Sequence, residues 1–238
     1  MRSIKNVKLT SYDIAQLIDI SAVQAYHGER EIRELVEKAA EYKFIAVHVL
    51  PCWVAFLSGL LKGHKGILMG APVGFPGGAH KTETKVFEAR QLCADGVSEA
   101  DMMLNIGKLK SGSFSYVEED IRAVVEAAGP VPVKVILETH YLAADEIKKA
   151  CELCIKAGAA YVKTATGWAP SGATLEVIKL ITGFVGKSIK VKAAGGIRDL
   201  KTLLAMRAMG VTRFGINLNA SIDIVREVDA MPGKAVEV

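Results

Sequence analysis

Two lysines carry the chemistry this sequence suggests. Lys163 closes the short apolar run Ala160–Tyr161–Val162, just ahead of the turn Thr164–Ala165–Thr166–Gly167. Lys192 stands in Ile189–Lys190–Val191–Lys192–Ala193–Ala194, which runs into Gly195–Gly196. A strand buried on both faces is almost continuously apolar, so a lysine near its end is paired, reaching for solvent along its own stem, or functional. A single lysine of this kind reads most simply as a strand-end side chain with a wet head. Two of them, one helix-length connection apart, can face each other across a barrel mouth. Neighbouring ammonium groups lower each other's pKa, and a neutral amine attacks a carbonyl to form a Schiff base.

Asp101 is the third member. It interrupts the otherwise apolar stretch Glu99 to Gly107, EADMMLNIG. A buried aspartate is more often a hydrogen-bonded structural group than a catalytic one. Beside two lysines it gains another use, offsetting their charge and moving protons through a water. The turn Gly195–Gly196–Ile197–Arg198 suits an anion, because glycines let backbone N–H groups approach it at the start of a helix. The five histidines are dispersed, with no HxH or HExxH spacing, so a metal-independent route is expected. Cys151 and Cys154 form CELC inside a helical pattern from Ala143 to Ala157, where both fall on one face and pack in the core. Cys52 and Cys93 are expected to be buried thiols.

These residues need a scaffold that brings strand ends together. Apolar segments recur at Leu17–Ser21, Phe44–Val49, Gly66–Ala71, Glu99–Leu104, Pro132–Leu137, Ala160–Lys163, Ile189–Lys192 and Thr212–Ile216. Amphipathic helical patterns lie between them, including Glu29 to Glu41, and a short helix from Tyr12 to Leu17 precedes the first. Strand–helix alternation implies parallel pairing with right-handed crossovers. Eight such units in 238 residues favour a closed (β/α)8 barrel, a fold that takes about 250 residues. The expectation is therefore one α/β barrel domain over residues 1–238, with a short N-terminal helical extension and a tail from Met231 to Val238. Such barrels place chemistry at the C-terminal strand ends, which here carry Asp19, His48, Phe75, Asp101, Glu138, His140, Lys163, Lys192, Gly215 and Asn217.

Composition excludes several classes. Half the residues are hydrophobic and the net charge is only +4, with basic residues scattered and densest at Lys62, His64 and Lys65. No basic run with interleaved aromatics argues for nucleic acid, and no apolar run approaches the length of a membrane span. The start, MRSIKNVKLTSYD, lacks a signal-peptide core, so a cytoplasmic protein is expected. Barrels of this kind often self-associate through helix faces, and a homo-oligomer is expected.

YVKTATGW followed by SGAT, together with KAAGGIR, EADMMLNIG and VGFPGGAHKTETKVFEA, resembles the deoxyribose-phosphate aldolase family of class I aldolases. The likeness runs in order from about Leu17 to Asn217. It implies a (β/α)8 barrel, no metal or other cofactor, and reversible cleavage of 2-deoxyribose 5-phosphate to glyceraldehyde 3-phosphate and acetaldehyde. On this resemblance Lys163 forms the Schiff base, Lys192 perturbs it and Asp101 assists proton transfer. Asp19, Thr164, Thr166, Gly167, Gly195, Gly196, Gly215 and Asn217 are the expected substrate contacts. The sequence departs from the family in places. Gln24 stands where the first-strand motif has a lysine, and His48–Val49–Leu50–Pro51 replaces the common CVNP. Arg213–Phe214–Gly215–Ile216–Asn217–Leu218 lacks both serines of the usual phosphate loop, and His140 replaces a small residue. His48 and His140 are thus candidates for altered specificity. Two other readings stand beside the usual activity: the same aldol chemistry on a different or unphosphorylated acceptor, and a non-catalytic sugar-phosphate-binding barrel.

Overall fold

The computed structural model describes residues 8–237. Strand β1 (Lys8–Thr10) leads through a short helix, Ser11–Ala15, into β2 (Ile18–Ala22). There follow β3 (Ala46–Val49), β4 (Leu68–Val73), β5 (Glu99–Met103), β6 (Val133–Ile136), β7 (Tyr161–Lys163), β8 (Lys190–Ala194), β9 (Arg213–Gly215) and β10 (Ala235–Glu237). Strands β2 to β9 pair in parallel in chain order and close as a barrel when β9 meets β2. Helices or helical turns occupy every crossover, among them Glu29–Tyr42, Thr82–Ala94, Phe114–Ala128, Ala144–Lys156, Leu175–Val185 and Leu218–Asp229.

The two faces of the barrel strands differ because successive side chains point to opposite sides. Outward positions are apolar: Ile18, Ile20, Val47, Val49, Met102, Val133, Val135, Val162, Val191 and Phe214 are all buried in the core beneath the helices. Each fully buried aliphatic side chain of this size contributes about 1.5–3 kcal/mol through area removed from water. Inward positions carry the charge, at Asp19, Glu99, Asp101, Lys134, Lys163, Lys192 and Arg213, together with His48, the small Gly70 and Gly215, and larger side chains such as Ile136 and Tyr161. Register sets their levels, with Asp101 beside Lys134 and Lys163 beside Lys192. Gly70 leaves the room that His48 occupies, since a Cβ at position 70 would lie 2.2 Å from His48 Cε1.

The expected alternation and strand count match the structure, with local differences. β4 runs to Val73, two residues beyond the expected end, because the Pro72 position still pairs with Asp101 of β5. The first helix ends at Ala15, earlier than expected; Thr10 caps it, its hydroxyl accepting from Asp13 N at 3.2 Å. Residues expected as a tail instead form a 3-10 turn, Pro232–Lys234, and β10, which pairs antiparallel with β1 outside the barrel. That brief ribbon buries one inward residue, Leu9, too little apolar content for a strand to be legible in the sequence. Cys151 and Cys154 are buried as expected, and burial raises both thiols, Cys151 to about 12. Cys52 is exposed and Cys93 half-buried, against expectation; Cys52 lies in the turn Pro51–Trp53 that leaves β3 rather than in the strand.

Gly70→Ala should therefore destabilise the fold by about 1–3 kcal/mol, the usual cost of overpacking. The comparison is Gly63→Ala, where an added Cβ meets nothing within 4 Å. Thermal melts of the two variants should differ by several degrees, and equal melting would contradict the packing described.

Candidate active site

A carboxylate at the centre of the barrel organises the site. Asp101 Oδ2 accepts from Lys163 Nζ at 2.7 Å and from Lys192 Nζ at 2.9 Å, while Oδ1 accepts from Lys134 Nζ at 3.2 Å. Lys192 also lies 2.6 Å from Asp19 Oδ2, and Asp19 Oδ1 accepts from Arg213 Nη1 at 2.6 Å. Glu99 completes the ring, with Oε1 2.7 Å from Lys134 Nζ and 2.8 Å from His48 Nε2. The three carboxylates are almost wholly buried.

Charge counting explains how these groups titrate. Asp19, Glu99 and Asp101 supply three negative charges, and Lys134, Lys192 and Arg213 match them. A proton on Lys163 adds a fourth positive charge, unmatched and out of water. Burial accordingly pushes Lys163 down to about 8, aided by Lys192 and Lys134 and opposed by Asp101. Lys192 moves the other way. Burial works against its charge, but Asp101, Asp19 and Glu99 outweigh it and hold the ammonium above its ordinary range. Burial likewise opposes ionisation of Asp101, yet Lys134, Lys163 and Lys192 keep it well below the usual carboxylate range. The expected mutual depression of two lysines is thus corrected. Only Lys163 is lowered, burial is the larger cause, and Lys192 is a fixed cation.

Above this cluster opens a cavity of about 440 Å³ that includes Lys163, Asp101, His48, Phe75, Arg198 and Asn217 in its wall. An amine with a pKa near 8 at the floor of an open, partly apolar cavity can add to an aldehyde, and the adjoining carboxylate can move a proton.

A family model for DeoC/LacD family aldolases matches residues 14–215. The chain belongs to that aldolase family. Among DeoC/LacD relatives, it is 50% identical to a deoxyribose-phosphate aldolase of Klebsiella pneumoniae, over 98% of this chain and 96% of that one. It is also 50% identical to a deoxyribose-phosphate aldolase of Rhizobium meliloti, covering 97% and 93% of the two chains. In three dimensions it is similar to QR15, an aldolase, with a TM-score of 0.84, 40% identity, and 90% and 95% of the chains covered.

The residues expected from the family motifs divide in space. Lys163, Lys192, Asp101, Asp19 and His48 meet at the cavity floor, and Thr166, Gly167, Gly195, Gly196, Gly215 and Asn217 line its walls. Thr164 does not line it. Its hydroxyl donates to Ala194 O at 2.7 Å and accepts from Ala194 N at 2.8 Å, tying β7 to β8. His140 is exposed and reaches the cavity only through Ser171, whose Oγ lies 2.7 Å from its Nδ1. The Thr166 hydroxyl is committed to Glu138, and Asn217 Oδ1 caps the helix Leu218–Asp229 by accepting from Ala220 N at 2.9 Å.

Lys134 and Glu99 were not singled out from the sequence, although Lys134 carries the same signal as the other lysines, a cation inside an apolar strand, VKVI. Spacing also hid that Asp19, His48 and Glu99 bring ligand-type atoms within 4.8 Å of one another. Lys134, Lys192 and Arg213 already sit against these carboxylates, so the set fits buried cations of the protein rather than a dication.

An amine adds to a carbonyl only when neutral, so any imine formation on Lys163 should rise as pH increases through about 8. Lys192→Leu removes one neighbouring charge and frees Asp101 and Asp19 to stabilise a protonated Lys163. The acid limb of the pH–rate profile should move upward by about one unit. An unmoved limb would contradict the charge balance.

Proposed function

We propose that this chain is a class I aldolase that reversibly cleaves 2-deoxy-D-ribose 5-phosphate to D-glyceraldehyde 3-phosphate and acetaldehyde through a Schiff base on Lys163. The observation that carries this reading is a lysine held near pKa 8 on a cavity floor, 2.7 Å from a buried carboxylate. The names of the relatives agree with the substrate.

In the synthetic direction, neutral Lys163 attacks the donor aldehyde and water leaves, giving a protonated imine. The iminium withdraws electrons, so a proton departs from the adjacent carbon and an enamine forms. Asp101 takes that proton, a role supported by its 2.7 Å contact with the Lys163 nitrogen. The enamine carbon then adds to the acceptor aldehyde, and hydrolysis releases the product. Lys192 does not react. Held by Asp19 and Asp101, it keeps Asp101 ionised and contributes to the depressed pKa of Lys163.

The phosphate would lie at the outer end of the cavity, among Ser171, Gly195, Gly196, Arg198 and Asn217. Gly195 and Gly196, at φ of 86° and 88°, turn the backbone along that wall, and Gly195 Cα lies 2.7 Å from where a Cβ at position 172 would stand. The loops after β7 and β8 thus touch backbone to backbone. The helix Leu218–Asp229 presents its N-terminal end there, a favourable setting for an anion. An altered acceptor is the second reading, because Leu218 offers no side-chain donor and Asn217, its Oδ1 taken by the cap, has only its amide nitrogen to offer.

Borohydride reduction in the presence of acetaldehyde should add one ethyl group to Lys163, and Lys163→Ala should abolish the label. No label on the wild-type chain would contradict the Schiff-base reading. In a substrate comparison, kcat/KM for deoxyribose 5-phosphate should exceed that for deoxyribose by about 10²-fold or more, in keeping with a site that binds the phosphate and uses that binding in the transition state. Parity would move the assignment to another acceptor.

A further inference from the structure

His48 is a buried imidazole on the cavity floor for which the chemistry above has no use. It is 4% exposed, and its ring fills the space left by Gly70. Its Nε2 lies 2.8 Å from Glu99 Oε1 and 3.6 Å from Asp19 Oδ2. Its Nδ1 faces Asp101 Oδ2 at 3.8 Å, the same oxygen that meets Lys163 and Lys192. We propose that His48 is a second acid–base group of the site, receiving from Asp101 the proton that leaves the donor carbon and returning it in the reverse direction. This rests on the Schiff-base reading.

Glu99 decides which nitrogen is free. His48 hydrogen bonding contributes to holding Glu99 at about 2, against the effect of burial, so it is a carboxylate and can only accept. Nε2 must therefore carry the hydrogen, and Nδ1 presents its lone pair to Asp101. While Asp101 is ionised, an acceptor faces an acceptor and the two stand apart. Once Asp101 holds a proton, it becomes a donor, and a closure of about 1 Å makes the hydrogen bond.

The proton balance is complete within the protein. The C–H bond beside the iminium breaks and its electron pair forms the carbon–carbon double bond of the enamine, neutralising the nitrogen. The proton passes to Asp101 and then to Nδ1, leaving Asp101 ionised again and His48 as an imidazolium. One positive charge has moved from Lys163 to His48, where Glu99 and Asp19 face it through Nε2. Asp101 needs such an acceptor, because three lysines around it make it a weak holder of protons.

His48→Gln separates the steps. The amide nitrogen of glutamine can keep the hydrogen bond to Glu99 but puts no basic nitrogen against Asp101. Two rates are compared with wild type: borohydride trapping of acetaldehyde on Lys163, and exchange of acetaldehyde methyl protons with deuterium oxide, followed by NMR. Exchange is expected to fall at least fivefold more than trapping; any smaller difference overturns the proposal, because a merely structural role would lower both together. Absence of trapping in the wild-type chain would instead remove the Schiff-base reading. The tautomer provides a test that needs no variant. In 15N-histidine NMR of the wild-type protein, His48 should show a protonated Nε2 and an unprotonated Nδ1, and a proton on Nδ1 overturns the relay.

Discussion

Everything at the cavity floor depends on compensation of charge among buried side chains. Three carboxylates and three basic side chains meet inside the barrel, and each is tolerable only because the others are there. Such a cluster is a poor source of stability, since apolar side chains of similar volume often do as well or better. It does create one position whose protonation is a surplus, and that position is Lys163. The lowered pKa of that amine is thus a product of the whole ring, which draws residues from β2, β5, β6, β8 and β9.

The barrel serves this arrangement by dividing labour between its two faces. Outward aliphatic residues bury against helices and supply much of the stabilisation, which lets the inward layer carry charged side chains where such barrels usually carry branched ones. Gly70 contributes by being small, so that the ring of His48 fits against its strand. Parallel register then does the alignment, because adjacent strands carry Lys163 and Lys192 at one level without any loop having to place them.

Much of this was legible in the sequence, and the physical reasons for the rest are plain. Strand–helix alternation and inward lysines at Lys163 and Lys192 are local signals, and they gave the barrel and two of its central residues. The same logic applied to Lys134 would have found a third, but no turn follows it immediately to mark it as a strand end. The direction of the Lys192 shift could not be read, because it depends on Asp19 and Glu99, which are distant in sequence and adjacent only after closure. Thr164 and Thr166 look alike in the motif, yet period-two geometry and local turns send one to the neighbouring strand and the other to Glu138. The β1–β10 ribbon is too short and too exposed to leave a pattern.

The rim of the cavity is built on a different principle from its floor. Trp168 donates from Nε1 to Val23 O at 3.0 Å and packs edge-on against Phe75 at 5.6 Å, so one indole joins the loops after β2, β4 and β7. Those contacts involve no buried charge and little of the core. Replacement of a rim side chain can therefore reshape the entrance without disturbing the charge balance beneath it. A protein divided in this way is well placed for divergence, natural or directed, because its entrance and its charged floor are held by separate sets of contacts in the same barrel.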